Sequence, residues 1–140
     1  MFKKIVTFKE LDEILPMIRH LQLTQKSSHN FTWTGYLQWL TFSFPNLGIW
    51  VSYDKLGSPT GYIMACVQIN YGTKEGIILE AYSESGHEKL NYQIFLTVCD
   101  WLKEQGAEFI SCYTENQKLA KIFTERNGFE LSRFHLTKRL

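Results

Sequence analysis

The sequence has no large excess of charge of either sign. Its 140 residues include 15 Lys and Arg and 14 Asp and Glu, which gives a formal net charge of +1 at pH 7. Nucleic acids and anionic membranes select proteins with a basic surplus, so neither is expected as a partner. No apolar run approaches the roughly 20 residues of a membrane helix, and residues 1–13 lack the apolar stretch of a signal peptide. A cytoplasmic location is therefore expected.

Cysteines and closely spaced metal ligands are also scarce. The three cysteines, Cys66, Cys99 and Cys112, are far apart and flanked by apolar residues, which is typical of reduced core residues. The four histidines are scattered, and no Cys/His spacing fits a zinc site, so no metal is expected. Repeats and linkers are absent as well. The length and the 44% apolar content predict one globular domain, residues 1–140.

The pattern of apolar residues predicts both strands and helices. Apolar residues at three- and four-residue spacing predict helices, and short β-prone runs between turn signals predict strands. Pro16 lies inside the first helix and is expected to kink or divide it. The predicted strands are 2–8, 49–53, 61–70, 76–82, 107–114 and 129–137, and the predicted helices are 9–23, 32–42, 88–105 and 116–126.

This order of elements, β-α-α-β-β-β-α-β-α-β, predicts an α/β protein with a mixed sheet. Residues 76–114 form a strand, a helix and a strand, which predicts a parallel, right-handed βαβ unit. Ligands of open sheets tend to bind beyond the carboxyl ends of such strands. A binding site is therefore expected near the ends of strands 76–82 and 107–114.

The loop before the third helix, residues 83–92, has the sequence SESGHEKLNY and supports two interpretations. A helix start offers free N–H groups and about half a positive charge, so it can bind a phosphate. Ser85 and Glu88 have the spacing of a capping box, in which each side chain accepts the N–H of the other residue. Glu88 would also repel a phosphate, an effect only partly offset if Lys89 turns inward. The sequence favours the self-capped helix.

Two segments resemble motifs of the GNAT-type N-acetyltransferases, and the order of elements is similar along the whole chain. Residues 116–140, NQKLAKIFTERNGFELSRFHLTKRL, resemble the closing motif of that superfamily, with Ala120 in the helix and Gly128-Phe129 opening the last strand. Residues 102–110, LKEQGAEFI, resemble the end of its long helix and the next strand. The resemblance implies a GNAT-like, mostly antiparallel sheet with a central parallel βαβ unit and a splayed strand pair.

The resemblance also implies transfer of an acetyl group from acetyl-CoA to an amine, either a small molecule or a peptide. The superfamily's pyrophosphate motif, Gln/Arg-x-x-Gly-x-Gly/Ala, falls on residues 86–91. Here Gly86 stands at the Gln/Arg position, and Lys89 and Asn91 stand at the glycine positions. The chain therefore departs from the motif. The implied cofactor-binding residues are Ala81, Tyr82, Gly86, His87, Glu88, Lys89, Leu90, Asn91, Asn116 and Phe123.

Glu80 and Tyr113 are the candidate catalytic residues that the resemblance implies. A carboxylate in the middle of a strand must be paired, face a cavity or be partly protonated. Glu80 is the candidate general base, and a structural or solvent-facing carboxylate is the alternative. The superfamily's tyrosine acid falls on Thr124, which is too weak an acid. Tyr113 could substitute for it, although a role in the wall or core fits as well.

Three other residues have a structural interpretation that competes with a chemical one. Histidine is a common general acid or base, but His87 is interpreted as an exposed histidine at a helix start. Cys112 is a poor candidate nucleophile because its strand is apolar. Asn116 is first a candidate N-cap and only second a coenzyme ligand.

Residues 31–44 carry more aromatic surface than one side of a short helix can bury. The rings could line an acceptor cleft, as the first two helices do in the resembling superfamily. They could instead pack in the core or form a homodimer contact. The aromatic residues are Phe31, Trp33, Tyr36, Trp39, Phe42 and Phe44.

The sequence supports an N-acetyltransferase with Glu80 as base, and it leaves open an inactive GNAT-like binding or assembly module that has lost coenzyme binding. The missing glycines, the missing tyrosine acid and the predicted capping box favour the inactive module. Glu80 and the layout of the elements favour the enzyme. An unrelated small α/β binding domain fits less well than either.

Overall fold

A computed structural model describes residues 1–24, 32–112, 117–130 and 138, and these ranges contain five strands and four helices. A short 3-10 turn, Phe44–Asn46, joins α2 to β2. The mixed α/β class predicted from the sequence is confirmed. In chain order the elements are β1 (Phe2–Ile5), α1 (Phe8–Thr24), α2 (Trp33–Ser43), β2 (Gly48–Tyr53), β3 (Pro59–Asn70), β4 (Thr73–Ser83), α3 (Glu88–Glu104), β5 (Phe109–Cys112) and α4 (Gln117–Arg126).

The five strands form one sheet in the order β1-β2-β3-β4-β5. The pairs from β1 to β4 are antiparallel, and β4 pairs with β5 in parallel. The unit β4-α3-β5 is therefore the predicted parallel βαβ unit. A two-residue turn joins β3 to β4, with φ of 52° at Tyr71 and 80° at Gly72, as in a type I′ hairpin. Because this turn is so short, β4 begins at Thr73 rather than at the predicted residue 76.

Two hydrophobic clusters lie on opposite faces of the sheet, because successive strand side chains point to opposite sides. On what we call the α1 face, Ile14 and Ile18 of α1 cover strand residues such as Val51 and Met64. On the α3 face, four buried residues of α3 pack against the alternate strand positions. This second cluster contains Trp50, Ile63, Ala65, Ile78, Ile94, Phe95, Val98 and Leu102.

Two predictions about the helices and strands need correction, and one is untested. Strand 2–8 is too long, because β1 ends at Ile5 and α1 begins at Phe8. Pro16 does not divide α1, which is one continuous helix. The predicted last strand, 129–137, lies outside the described residues after Glu130. No helix among the described residues is long and apolar enough to cross a membrane.

Candidate functional site

Glu80 reaches the α1 face of the sheet because β4 contains a bulge. On β3, Met64 lies opposite Glu80, whereas the next residue, Ala65, lies opposite Ile78. Leu79 is therefore an extra residue in β4. In a regular strand Glu80 would point to the same side as Ile78 and face α3. The bulge turns the carboxylate toward α1 and α2 instead.

Three neutral side chains from three elements donate hydrogen bonds to the Glu80 carboxylate. Gln22 Nε2 of α1 donates to Oε1 at 2.8 Å, and the Tyr62 hydroxyl of β3 donates to the same oxygen at 2.7 Å. The Tyr36 hydroxyl of α2 donates to Oε2 at 2.6 Å. Gln22 and Tyr62 are buried, and Glu80 and Tyr36 are half-buried. The carboxylate is therefore held by hydrogen bonds on both of its oxygens.

Burial sets the direction in which the pKa of Glu80 moves. The loss of hydration raises this pKa above the ordinary value of 4.5, and the three hydrogen bonds act in the opposite direction. Burial, followed by the negative charge of Glu80, also raises the pKa of Tyr36 and Tyr62. Both phenols therefore remain protonated at neutral pH and act as hydrogen-bond donors.

One acceptor position of the Glu80 carboxylate is left over. An ionised carboxylate offers about four lone-pair positions, two on each oxygen. Oε1 accepts from two donors and Oε2 accepts from one. Oε2 therefore keeps an acceptor position for one further N–H or O–H donor, and Glu80 is half-buried.

Aromatic rings border this carboxylate. The Trp33 ring stacks on the Tyr36 ring, with centroids 5.6 Å apart and planes inclined by 14°. The Tyr82 ring lies 6.3 Å from Tyr62 and 5.9 Å from His20. In the part of the chain that the structure describes, no lysine or arginine forms an ion pair with Glu80. The surroundings of the carboxylate are therefore mainly aromatic and uncharged.

The aromatic segment 31–44 divides between core and surface. Phe44 is buried, and Trp33 and Tyr36 pack partly buried against the α1-face cluster. Trp39 is 40% exposed and Phe42 is 86% exposed. Phe31 lies outside the described residues. Core packing therefore accounts for half of the set, and two rings remain on the surface.

Within the described residues, the outer edge of β4 has no strand partner beyond the bulge. β4 pairs with β5 only as far as Ile78, which lies opposite Cys112. β4 then continues to Ser83 and pairs only with β3. Ala81 and Tyr82, two of the predicted coenzyme ligands, lie on this stretch. The residues that follow Cys112 lie outside the described residues, so the splayed strand pair implied by the sequence resemblance stays a prediction.

The predicted capping box at the start of α3 is wrong. The helix begins at Glu88 with His87 as its N-cap residue, and no side chain caps it. His87 N–H donates to the Glu84 carbonyl at 3.1 Å, and Gly86 has φ of +88°, which defines a type II turn. Ser85 is consequently the second residue of that turn and lies too early in the chain to act as the cap. The first-turn N–H groups are left for solvent or a ligand.

The residues at the two glycine positions of the pyrophosphate motif differ in their surroundings. Lys89 is exposed. Asn91 Oδ1 is buried without a hydrogen-bond partner, and it would lie 3.1 Å from a Cβ placed on Gly61. The Asn91 amide therefore turns inward, toward β3, and Leu90 beside it is half-buried.

The candidate residues of α4 make no described contact with Glu80. Phe123 stacks on Phe95 at 5.0 Å in the α3-face cluster, so it contributes to the core on that face. Thr124 donates to the Lys121 carbonyl of its own helix. Tyr113 and Asn116 lie outside the described residues. Burial raises the pKa of the free Cys112 thiol, which disfavours its use as a nucleophile.

Sequence reasoning missed Gln22 and Tyr62 entirely and grouped Tyr36 only with the other aromatic residues. These residues lie 58, 18 and 44 positions from Glu80, and they come from three different elements. The available signal was weak. A glutamine at an otherwise apolar position of a predicted helix, and a tyrosine in a predicted central strand, indicate polar groups that need a buried partner.

Comparison with known proteins gives similarity in structure but not in sequence. No known family model and no curated protein matches the sequence. A candidate acetyl transferase from Pyrococcus furiosus has a TM-score of 0.75 and 14% identity, with 100% of both chains covered. An aminoglycoside acetyltransferase from an uncultured soil metagenomic sample, solved with sisomicin, has a TM-score of 0.72 and 11% identity, with 100% of this chain and 95% of that chain covered.

A plant enzyme has the same fold. Glucosamine-6-phosphate N-acetyltransferase from Arabidopsis thaliana has a TM-score of 0.70 and 13% identity, with 99% of this chain and 98% of that chain covered. At such low identities the likeness shows the fold alone. The chain therefore has the fold of the GNAT acetyltransferases, as the resemblance in its sequence implied.

Proposed function

We propose that the protein is an acetyl-CoA-dependent N-acetyltransferase in which Glu80 is the general base. The proposal rests on the structural surroundings of the Glu80 carboxylate. The β4 bulge aims the carboxylate at α1 and α2, three neutral groups hold it, and Oε2 keeps one acceptor position. Structural neighbours described as acetyltransferases support the same reaction class.

Two features of this chain fit acetyl-CoA. The start of α3 has no side-chain cap, so its N–H groups and its dipole suit a pyrophosphate. Ala81 and Tyr82 lie on β4 just beyond its described pairing with β5, and their main-chain groups would suit the amides of an extended coenzyme arm. Residues 86–90 and 81–82 would therefore hold the coenzyme, which supplies the acetyl group as a thioester.

Glu80 would remove a proton from the protonated acceptor amine. A carboxylate with a raised pKa is a better base than an ordinary one near neutral pH, because catalytic efficiency rises as the pKa of the base approaches the working pH. Tyr36 and Tyr62 keep the carboxylate oriented and do not compete as acids, because both remain protonated. The proton for the leaving thiolate needs a separate donor, and Tyr113 stays the prediction for that role.

An inactive binding or assembly module is the second candidate, and specific residues favour it. Lys89 and Asn91 stand where close approach of a pyrophosphate favours glycine, and Glu88 places a negative charge in the first turn of α3. Trp39 and Phe42 give such a module exposed apolar rings for a contact, including a homodimer contact. Failure to bind acetyl-CoA would favour this candidate.

The first experiment measures coenzyme binding and turnover separately. Calorimetric titration with acetyl-CoA tests binding, and release of free thiol in the presence of a panel of amines tests transfer. Glu80→Gln should lower turnover by about 10²- to 10⁴-fold and change coenzyme affinity little, because the base acts on the acceptor. Glu84→Gln, an exposed acid just beyond β4, is the matched control and should change neither.

The outcomes separate the two candidates. Coenzyme binding with turnover that Glu80→Gln abolishes supports the enzyme. If wild type binds no acetyl-CoA but Lys89→Gly does, the side chain at the glycine position is the obstacle and the inactive module is favoured. Turnover that survives Glu80→Gln would assign the base to another residue.

A further inference from the structure

Two tyrosines hold the two oxygens of Glu80 from different layers of the protein. The Tyr62 hydroxyl donates to Oε1 at 2.7 Å, and the Tyr36 hydroxyl donates to Oε2 at 2.6 Å. Tyr62 lies in β3, inside the sheet, and its side chain is fully buried. Tyr36 lies in α2 and packs half-buried against the α1-face cluster. One oxygen is therefore held by the sheet and the other by a helix that covers it.

The two oxygens also differ in how many donors hold them. Oε1 has a second donor, Nε2 of the buried Gln22 of α1, at 2.8 Å. For Oε2, the Tyr36 hydroxyl is the one donor that the structure describes. Loss of a single donor would leave Oε1 with a hydrogen bond and Oε2 with none of those described. The orientation of Oε2 therefore depends on Tyr36 more than that of Oε1 depends on either of its partners.

Aromatic neighbours on α2 fix the direction of the Tyr36 ring. The Trp33 ring stacks on it, with centroids 5.6 Å apart and planes inclined by 14°, and the Trp39 ring lies 5.6 Å away, inclined by 48°. These tryptophans come three positions before and after Tyr36, so all three rings share one side of the helix. Leu40, one turn after Tyr36, is buried and attaches α2 to the core. The position of the Tyr36 hydroxyl therefore follows the position of α2.

We propose that Tyr36 is a positioning residue of Glu80: its hydroxyl orients Oε2, and α2 sets through this bond how strongly the carboxylate binds a proton. The inference rests on the proposed function, because Glu80 is the base of that reaction. Hydrogen bonds to the ionised form of a carboxyl group favour that form. Burial raises the pKa of Glu80, and among the three hydrogen bonds that lower it, the bond from Tyr36 has the largest effect.

Other titratable or charged groups lie around these hydrogen bonds. The ones that the structure describes are Tyr82 of β4, 6.3 Å from the Tyr62 ring, His20 of α1, 5.9 Å from the Tyr82 ring, and Arg19 of α1, 5.5 Å from the centre of the Trp33 ring. Lys26, His29 and Tyr113 lie outside the described residues. Replacing a tyrosine of the site by phenylalanine leaves all of these groups in place, so a change in the titration of Glu80 reports the lost hydroxyl.

Carbon NMR titration of the Glu80 carboxyl carbon tests the bond on the protein alone, with neither coenzyme nor acceptor present. Tyr36→Phe deletes the hydroxyl and keeps the ring, and it should raise the titration midpoint of Glu80 by about one pH unit. Tyr62→Phe should raise the midpoint less, because Gln22 still donates to Oε1. Tyr53→Phe is the matched control and should leave the midpoint unchanged, since Tyr53 packs half-buried on the same face without a described bond to Glu80.

The comparison of these variants decides the matter. An unchanged Glu80 midpoint in Tyr36→Phe would overturn the proposal. A rise of the same size in Tyr53→Phe would do so too, as would a rise in Tyr62→Phe that equals or exceeds the one in Tyr36→Phe. The Glu10 carboxyl, whose pKa is about 2, shows in the same spectra that each variant is folded, because this value returns toward 4.5 when the protein unfolds.

A stronger donor at the same position should have the opposite effect. Site-specific replacement of Tyr36 by 3-fluorotyrosine changes the shape of the ring little and makes its hydroxyl more acidic and hence a stronger donor. The midpoint of Glu80 should fall by roughly 0.3 pH unit, because the ionised carboxylate is held more firmly. The same replacement of Tyr53 should leave it unchanged. A midpoint that rises or stays constant when Tyr36 is fluorinated would refute the proposal.

Activity measurements distinguish this inference from the proposed function. The acidic limb of the kcat/KM profile reports the pKa of the base in the free enzyme, so Tyr36→Phe should move it upward with the Glu80 midpoint. Below both midpoints kcat/KM should fall about tenfold, with coenzyme affinity unchanged. A shifted Glu80 midpoint without any transfer would refute the transferase and keep the link between Tyr36 and Glu80. Transfer whose pH profile does not follow the shift would keep the transferase and refute Tyr36 as the positioning residue of its base.

Discussion

Two helix starts in this protein carry the same Ser/Thr-x-x-Glu pattern and have opposite structures. At α1, Glu10 N–H donates to the Thr7 hydroxyl, and Thr7 N–H donates back to Glu10 Oε1, both at 3.1 Å. Lys3 also pairs with Glu10 Oε2 at 2.9 Å. At α3, neither Ser85 nor Glu88 caps the helix. One helix start is therefore closed by its own side chains, and the other is left open.

The difference lies in where the serine or threonine stands relative to the first helical residue. Thr7 directly precedes Phe8, the first residue of α1, so Glu10 occupies the third helical position, as a capping box requires. Ser85 is separated from α3 by Gly86 and His87, because the glycine at φ +88° completes a turn first. A four-residue pattern predicts a cap only when the helix begins immediately after its first residue.

The largest expected effect comes from closing the α3 start with an additional negative charge. Lys89→Glu replaces a basic residue in the first turn by an acidic one, as Glu10 provides at α1. We expect acetyl-CoA affinity to fall by at least about tenfold, because the new carboxylate interacts with the helix dipole and repels a pyrophosphate. Calorimetric titration of wild type and variant measures this loss.

Lys103→Glu is the matched control for that charge reversal. Lys103 lies in the last turn of the same helix, about 21 Å from Lys89 at 1.5 Å per residue. It should leave coenzyme affinity unchanged and destabilise the helix slightly, because an acid at the carboxyl end opposes the dipole. Unchanged affinity in Lys89→Glu would mean that the coenzyme does not use the α3 start.

A smaller effect is expected from removing the two hydroxyl groups of the shared pattern. Thr7→Ala removes a cap that the structure contains and should lower the free energy of unfolding by about 1 kcal/mol. Ser85→Ala removes an exposed hydroxyl that caps nothing and should change it by less than about 0.5 kcal/mol. Urea unfolding of both variants beside wild type measures the difference. Equal losses of unfolding free energy in the two variants would show that Ser85 stabilises the protein through an interaction that the structure does not show.

The sequence predicted most elements but not how the starts of α1 and α3 are capped. Periodicity located α3 to within one residue, since 88–105 was predicted and Glu88–Glu104 is present. It placed the end of β1 three residues too late, because the capping pattern at Thr7 was overlooked while the pattern at Ser85 was accepted. Local patterns of this kind depend on the neighbouring turn, and the turn at Gly86 is visible only in three dimensions.

The candidate site was predicted only in part, for a physical reason. Glu80 stood out because an acid in an apolar strand needs a partner. The direction of its side chain depends on the bulge at Leu79, and no residue in that stretch signals a bulge. Its hydrogen-bond partners come from α1, α2 and β3. They come together only in the folded protein, and no single segment of the sequence indicates them. The roles assigned to Tyr113 and Asn116 stay predictions.

The smallest expected effect concerns two carboxylates whose pKa values move in opposite directions. The bond to Lys3 and the hydrogen bonds of the capping box lower the pKa of Glu10 to about 2, whereas burial raises that of Glu80 above 4.5. Because the folded pKa of Glu10 is lowered, the stability it contributes is present above pH 4.5 and is lost as the pH falls toward about 2. For Glu80 the pH dependence of stability has the opposite sign, and stability is lost as the pH rises through its raised folded pKa.

Carbon NMR titration of the two assigned side-chain carboxyl carbons should give one midpoint well below 4.5 and one above it. Urea unfolding should show the difference between wild type and Glu10→Gln disappearing over the same acidic range. Midpoints that coincide near 4.5 would contradict both the closed α1 start and the buried carboxylate of β4.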